Sequence, residues 1–201
     1  MTQQQNANPS AGSENGIMAV VVGPSGAGKD TLISLATEHF TNHPDVHFVR
    51  RVITRDGDAG GEDHISVSQE GFAAMRQAGS FAVWWEAHGL KYGIPAEVSS
   101  SLARGQLVVA NGSRSALHLF QSAFPRLKVV NITARAEVLA GRLQARGRET
   151  HDEIMARLAR GPLTVRGDFD VVEIDNSGSI EEARLNVIRV FNGFLQDLKQ
   201  G

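Results

Sequence analysis

The sequence predicts an α/β fold in which helices cover both faces of a parallel sheet. Short apolar runs rich in β-branched residues alternate with segments of helical periodicity along most of the chain, which is the pattern of a parallel sheet buried between helices. The first run, at 17–22, is followed by a glycine-rich loop and then by apolar residues at helical spacing. This order of strand, glycine loop and helix is typical of nucleotide-binding α/β domains.

The glycine-rich loop reads G-P-S-G-A-G-K at 23–29, the pattern of a phosphate-binding loop. Its glycines let the backbone wrap closely around a phosphate, and the helix behind it adds positive potential. We predict that Lys29 reaches the β- and γ-phosphates of a nucleoside triphosphate. The predicted ATP-binding residues are Gly23, Pro24, Ser25, Gly26, Ala27, Gly28, Lys29, Asp30 and Thr31.

Asp30 occupies the position where this motif has serine or threonine. A carboxylate is favoured in the first turn of any helix, so Asp30 could be an ordinary N-terminal helix residue. Alternatively, it binds Mg²⁺ directly or through a water, because hard oxygen ligands suit this ion. We predict the second role and leave the first open.

The other predicted elements follow in chain order. After the first strand we predict a helix at 30–43 and a strand at 47–53. Ser68 can cap a helix that ends at Gly79. The remaining predictions are strands at 81–86, 90–92, 107–110, 127–133 and 169–174, a helix opened by Pro95, helices at 115–123 and 136–145, and two helices opened by capping boxes at Thr150 and Ser179.

Composition bounds the class of protein. We predict one domain at 17–201 after a disordered polar tail at 1–16. The formal net charge of −2 argues against nucleic-acid and membrane partners. The absence of cysteine excludes disulfides, cysteine–zinc sites and cysteine nucleophiles. No apolar stretch approaches a membrane span and no signal pattern is recognisable, so we expect a cytoplasmic protein.

Several conspicuous side chains are interpreted as structural. Trp84 and Trp85 are predicted to be buried alternately along a strand, with stacking on a ligand as the alternative. Arg50 and Arg51 are predicted to form a half-solvated strand pair, with a substrate clamp as the alternative, and Arg142 and Arg148 to be solvated charges on a helix surface.

Five further segments carry a family resemblance together with the loop. They are I-T-R-D at 53–56, G-G-E-D-H-I at 60–65, H-G-L-K-Y-G at 88–93, V-A-N-G-S-R at 109–114 and R-G-R-E-T at 146–150. The chain resembles the guanylate-kinase-like nucleotide kinases, and within them the ribose 1,5-bisphosphate phosphokinases of bacterial phosphonate catabolism. This resemblance implies a three-layer P-loop kinase fold, with an acceptor-binding region at about 54–104 and a lid at about 146–165.

The resemblance also implies an activity. ATP, with Mg²⁺, would phosphorylate the 1-phosphate of ribose 1,5-bisphosphate to give 5-phospho-α-D-ribose 1-diphosphate and ADP. It implies catalytic roles for Lys29 and for two lid arginines, Arg146 and Arg157, and places 175–179 beside the adenine. The implied substrate-binding residues are Thr54, Arg55, His64, Tyr92, Asn111, Ser113 and Arg114.

Three departures from guanylate kinase argue against a guanine acceptor. His64 replaces a tyrosine, Val83 falls at or near the position of a guanine-reading glutamate, and Asn111 replaces a second carboxylate. A valine offers no acceptor to the N–H groups of guanine. Because one carboxylate is lost at Asn111 and another is gained at Asp30, we interpret the two changes as an exchange of charge.

Two alternatives remain open at this stage. The first is guanylate kinase or another nucleoside-monophosphate kinase. The second is a non-catalytic, guanylate-kinase-like module that binds a protein partner; the presence of Lys29 and Arg146 argues against it. For the kinase we expect a small sugar phosphate as partner and a monomer or homodimer.

Overall fold

The computed structural model describes residues 15–55, 62–145 and 165–200. Arg146, Arg148, Arg157 and the capping box at Thr150 lie outside these ranges, as do nearly all of the predicted lid and tail.

The main sheet is parallel and has β1 at its centre. Its strands are β1 (Ile17–Val22), β2 (Val46–Phe48), β7 (Leu107–Asn111), β8 (Leu127–Thr133) and β9 (Asp170–Asp175). Their order across the sheet is β2-β7-β1-β8-β9, and each neighbouring pair is parallel. Every residue of β1 is buried, as expected for a strand covered on both faces.

Alternate residues of β1 enter two separate cores. Ile17, Ala19 and Val21 pack with residues of helices α1 (Lys29–His39) and α6 (Ile180–Gln200). Met18, Val20 and Val22 pack with residues of helices α3 (Val98–Ala103) and α4 (Leu117–Ala123). The helix α5 (Ala136–Ala145) contributes Leu139 to the first core. The three-layer α/β fold predicted from the sequence is therefore confirmed.

A second, four-stranded sheet is formed by the chain between β2 and α3. It contains β3 (Val52–Ile53), β4 (Ile65–Ser66), β5 (Phe81–Ala87) and β6 (Leu90–Pro95), in the order β4-β3-β6-β5. The hairpin of β5 and β6 turns at His88 and Gly89, which both have positive φ as a tight two-residue turn requires. Helix α2 (Gln69–Gln77) covers one face of this sheet, and it is capped by Ser68, whose side chain accepts from the Gly71 N–H.

Trp84 and Trp85 are buried on opposite faces of the second sheet, as predicted. Trp84 packs with Phe72 and Phe81 beneath α2. Trp85 joins the core shared with the main sheet, where its ring lies 5.7 Å from that of Phe120.

Three predicted elements differ most from the structure in their extent. The strand expected at 47–53 is two strands in different sheets, because the chain leaves β2 and crosses through Arg50 and Arg51 to β3. Helix α1 ends at His39, and the chain turns soon afterwards at Asn42 with φ of 64°. Pro95 is the last residue of β6 and does not open a helix.

Within the described ranges, no helix is both long enough and apolar enough to cross a bilayer.

Candidate active site

The loop between β1 and α1 has a conformation that requires glycine. Gly23 has φ of 152° and Gly28 has φ of 90°, both in the region that side chains disfavour. A Cβ at Gly23 would lie 2.2 Å from the Ile132 carbonyl oxygen, and one at Gly28 would lie 2.4 Å from Asn176 Nδ2. The motif therefore depends on its glycines for close packing against β8 and the segment after β9.

Two side chains from outside the motif support the back of the loop. Asn176, which is 1% exposed, donates from Nδ2 to the Ala27 carbonyl at 2.7 Å. Arg142 donates from Nη2 to the Asn176 carbonyl at 2.9 Å, and its Nη1 lies 3.4 Å from the Gly26 carbonyl. The interpretation of Arg142 as a solvated surface charge is therefore wrong. Sequence patterns could not identify this support, because both side chains are far from the loop in the chain.

Replacing Asn176 by alanine is expected to loosen the loop. The change removes a buried donor and leaves the Ala27 carbonyl with only the longer contact to Arg142 Nη1 at 3.5 Å, which costs about 1–3 kcal/mol of unfolding free energy. We expect ATP affinity to fall about tenfold, equivalent to about 1.4 kcal/mol. Calorimetry and thermal unfolding measure the two effects, with Asn186→Ala on α6 as the control. Unchanged ATP affinity and unfolding temperature would contradict the supporting role.

Lys29 lies at the start of α1 and points back into the loop. Its Nζ donates to the carbonyl oxygens of Gly23 and Pro24, each at 3.1 Å. Burial lowers the pKa of this amine from 10.5 to about 8; Asp30 opposes the shift, and Arg51 adds to it. A cation held here has a strong preference for a nearby anion such as a triphosphate.

ATP binding is therefore expected to take up a proton at mildly alkaline pH. Phosphate charge stabilises the protonated amine and raises its pKa from about 8. Calorimetry at about pH 8.5, in two buffers of different ionisation enthalpy, should report uptake of more than about half a proton per ATP. ATP affinity should fall as the pH rises through the free-state pKa. The variant Lys29→Arg should show no uptake, because a guanidinium stays protonated. Equal binding heats of the unmodified protein in both buffers would contradict this expectation.

A continuous chain of hydrogen bonds links the loop to the second sheet. Asn111, at the end of β7, donates from Nδ2 to Asp30 Oδ1 at 2.8 Å and to Glu62 Oε2 at 2.6 Å. Glu62 in turn accepts from Arg51, whose Nε lies 2.7 Å from Oε1 and whose Nη2 pairs with Oε2. One amide nitrogen therefore holds together two carboxylates that would otherwise repel each other.

Arg51 and Glu62 were not among the predicted site residues. Arg51 is 8% exposed and belongs to a buried ion pair, so its interpretation as half of a half-solvated strand pair is wrong. Arg50 is exposed and pairs with Asp63 at 2.8 Å. The glutamate stands within the G-G-E-D-H-I segment, and this was the only signal that the sequence offered for it.

Several of the residues predicted to bind the acceptor substrate line the same cleft, and others lie where they support its walls. Arg55 lines the cleft, and its Nε is buried without a hydrogen-bond partner among the described residues. Tyr92 and Ser113 also line it. Thr54 Oγ1 accepts from the Lys91 N–H at 2.9 Å, so this hydroxyl holds β3 to β6. Whether each of these residues contacts the acceptor stays a prediction.

His64 and Arg114 lie beside the cleft. His64 is buried, with Nδ1 at 2.9 Å from the Glu62 carbonyl and Nε2 at 3.1 Å from Ser66 Oγ. Both ring nitrogens therefore already have partners within the protein. Partial burial lowers the pKa of Arg114, which lies near enough to Lys29 to lower the pKa of the amine as well. Val83 is 1% exposed and belongs to the core, not to the cleft wall.

The cleft has a volume of about 580 Å³ and runs from the loop to the β5–β6 hairpin. In and beside it stand the cations Lys29, Arg51, Arg55 and Arg114 and the carboxylates Asp30 and Glu62. This excess of positive charge, joined to a phosphate-binding loop, is suited to a second phosphorylated molecule next to the nucleotide.

The residues after β9 lie close to the loop through Asn176. Asp175 Oδ1 accepts from the Ser177 N–H at 3.0 Å, and Ser177 Oγ accepts from the Arg135 N–H at 2.7 Å. These two bonds hold the turn after β9 against the segment that follows β8. The contact of 175–179 with adenine stays a prediction.

Asp30 lies in the first turn of α1, one position after Lys29 of the phosphate-binding loop. In the described part of the chain, no group of three or more histidines and carboxylates could hold a metal ion alone. Mg²⁺ at phosphate sites typically takes one or two carboxylates together with phosphate oxygens and waters. A single aspartate at the first turn of α1 fits this requirement.

Comparisons with known proteins place the chain in a family. A sequence model of the guanylate kinase family matches residues 16–192. The guanylate kinase of Anaplasma phagocytophilum has a similar fold, with a TM-score of 0.63 and 17% identity over 89% of this chain and 85% of that one. The chain belongs to the guanylate kinase family, a class of P-loop kinases.

More similar relatives narrow this class. A protein of Rhizobium etli named ribose 1,5-bisphosphate phosphokinase PhnN is 73% identical over 95% of this chain and 97% of its own length. A protein of the same name from Agrobacterium fabrum is 58% identical over 86% of this chain and 94% of its own length. Within the guanylate kinase family, this chain therefore groups with the PhnN proteins. Their names describe kinases, which argues against the non-catalytic alternative.

Proposed function

We propose that this protein is an ATP-dependent kinase that phosphorylates the 1-phosphate of ribose 1,5-bisphosphate, giving 5-phospho-α-D-ribose 1-diphosphate and ADP. The observation that carries the proposal is the 73% identity, over 95% of the chain, to a relative named for this substrate. The cationic cleft next to the loop supports it, because a bisphosphate needs several positive partners.

The proposed reaction needs positioning and charge neutralisation more than proton transfer. A phosphate oxygen of the acceptor attacks the γ-phosphorus of ATP, and the bond from that phosphorus to the β–γ bridging oxygen breaks. The acceptor phosphate is already largely anionic at neutral pH, so no general base is required. Lys29 would hold the β- and γ-phosphates, and Arg55 and Arg114 would hold the acceptor. Arg146 and Arg157 stay proposed as catalytic arginines.

We propose Mg²⁺ as the metal that accompanies ATP, with Asp30 as its protein ligand. When bound, Mg²⁺ would neutralise charge on the donor phosphates. The hydrogen bond from Asn111 to Asp30 supports this role, because it fixes the carboxylate at the edge of the cleft.

Phosphorylation of GMP is the second candidate, favoured by the family match. Two features of the cleft count against it. Val83 lies in the core and offers no hydrogen-bond acceptor to guanine. The Glu62 carboxylate is already engaged by Arg51 and Asn111. Release of ADP should therefore be compared with ribose 1,5-bisphosphate and with GMP as acceptors, at equal enzyme and Mg²⁺–ATP concentrations. Faster release with GMP would reject the proposed function.

We further propose that the partners are small phosphorylated molecules and that the protein acts in the cytoplasm, as a monomer or homodimer. The use of ATP as donor supports this location. Sedimentation equilibrium measures the oligomeric state.

A further inference from the structure

The Arg51–Glu62 pair is the one buried ion pair of the cleft, among the described residues. The side chains of Arg51 and Glu62 are only 10% and 12% exposed, and two N–H···O contacts join them. Buried ion pairs stabilise folds weakly, since desolvation offsets most of their attraction. The position of Arg51 and Glu62 in the wall of the cleft therefore indicates a role in substrate binding.

Two aromatic rings form the wall on which Arg51 rests. Trp85 and Tyr92 face each other across β5 and β6 and lie nearly parallel, with ring centroids 5.3 Å apart and an interplanar angle of 9°. Both rings line the cleft. Trp85 is buried and Tyr92 is half-buried, so a nucleobase could stack on this wall only if the group that covers it moved away.

The guanidinium of Arg51 is in contact with both rings. Its Cζ lies 5.0 Å from the centroid of Tyr92 and 5.8 Å from that of Trp85, which is cation–π distance. A base that stacked here would have to displace Arg51 and leave Glu62 buried without its cation, which is strongly unfavourable. Glu62 also accepts from Asn111, so both of its oxygens are engaged.

Arg51 can still bind an anion while it is held in this way. A guanidinium has five N–H donors, and Glu62 uses two of them. The remaining donors are on the side chain that lines the cleft, near the acceptor contacts predicted at Arg55 and Tyr92. A phosphate of a small sugar would need only these donors and would not need the aromatic wall.

We propose that Arg51 determines which acceptor substrate the protein takes. Arg51 binds a phosphate of the sugar bisphosphate and keeps nucleobases off the Trp85–Tyr92 wall. Glu62 is the positioning residue that holds Arg51 in this place. The first part of this inference, the binding of a sugar phosphate by Arg51, rests on the proposed function. The second part, the exclusion of a base, stands on the contacts of Arg51 alone and can be tested by binding.

The test removes both charges together. The double variant Arg51→Met/Glu62→Gln leaves neither charge buried alone, so it has the best prospect of folding. Arg50→Met/Asp63→Asn is the matched control, because this ion pair is one residue away on each side and its side chains are 57% and 75% exposed. Thermal unfolding and ATP binding are measured first in the double variant and in Glu62→Gln, where the glutamine oxygen can still accept a hydrogen bond from Arg51.

For the double variant we expect kcat/KM for ribose 1,5-bisphosphate to fall about 100-fold, an effect typical of a lost charge-assisted contact. GMP affinity, measured by calorimetry, should rise at least about tenfold. In Glu62→Gln, KM for the sugar bisphosphate should rise about tenfold while kcat changes less, because this residue acts through Arg51. The control variant should leave both kcat/KM for ribose 1,5-bisphosphate and the affinity for GMP unchanged.

Unchanged GMP affinity in a folded variant that binds ATP would overturn the inference. So would an unchanged ratio of kcat/KM between ribose 1,5-bisphosphate and GMP. If the unmodified protein does not turn over the sugar bisphosphate, the proposed function fails by that result, and the GMP-binding comparison still decides whether Arg51 excludes a base.

Discussion

Replacement of Lys29 by alanine is expected to lower kcat by about 10³-fold or more, because the amine acts on phosphate charge that moves in the transition state. The structure places this cation at the mouth of the loop, held by the carbonyls of Gly23 and Pro24. Release of ADP at saturating acceptor and Mg²⁺–ATP measures the effect. A kcat within about tenfold of the unmodified protein would contradict the assigned role.

Thermal unfolding distinguishes a loss of catalysis in Lys29→Ala from misfolding of the variant. Burial lowers the pKa of Lys29 to about 8, so the fold opposes the charged amine at neutral pH. The folded-state pKa is depressed, so this opposition is fully present below about pH 8 and disappears as the pH rises toward the unfolded value of 10.5. Removing the amine should therefore leave the unfolding temperature at pH 7 unchanged or higher. Lys199→Ala, at the exposed end of α6, serves as the control and should retain full activity.

Replacement of Asp30 by serine is expected to lower kcat about 10²-fold and to raise the Mg²⁺ concentration needed for half-maximal rate. The contact of Asp30 with Asn111 makes a more specific test of metal binding possible. The double variant Asp30→Ser/Asn111→Asp moves the carboxylate across a 2.8 Å contact and should regain part of the lost rate. Asn111→Asp alone should be harmful, because it places a third carboxylate beside Asp30 and Glu62.

Rates measured over a range of free Mg²⁺ concentrations test these expectations. Glu38→Ser, on the exposed side of α1, is the control for losing an acidic residue from the same helix. A Mg²⁺ dependence that is unchanged in Asp30→Ser would reject metal binding by Asp30 and favour its alternative as an ordinary N-terminal helix residue. Failure of the double variant to exceed the single variant would reject the exchange of charge.

Local sequence was sufficient to predict the elements whose determinants are close together in the chain. The strand at 17–22, the loop and the start of α1 are neighbours, and the turn at His88 and Gly89 pairs β5 with β6 directly. The Ser68 cap is equally local. The strand predicted at 47–53 was wrong because this one segment supplies strands to two sheets, and no local pattern encodes which sheet a strand joins.

The contacts that define the site are between residues distant in sequence. Asn111 meets Asp30 across 81 positions, and Asn176 meets Ala27 across 149. Such pairs follow from the order of strands in the sheet, because the carboxyl ends of parallel strands converge at one edge. Sequence motifs could therefore propose Asp30 and Asn111 separately and suggest their exchange, but their hydrogen bond emerges only from the fold. The Arg51–Glu62 pair was missed, because the G-G-E-D-H-I segment contains Glu62 but gives no sign of its contact with Arg51.

The most direct test of the central claim is phosphorus NMR of the protein incubated with Mg²⁺, ATP and ribose 1,5-bisphosphate. We predict loss of the 1-phosphate singlet of the sugar and growth of two mutually coupled diphosphate signals, while the 5-phosphate signal persists and ADP forms in equal amount. Incubation with GMP should give little ADP in the same time. The account would be contradicted if the sugar bisphosphate signals stayed unchanged while GMP was converted to GDP.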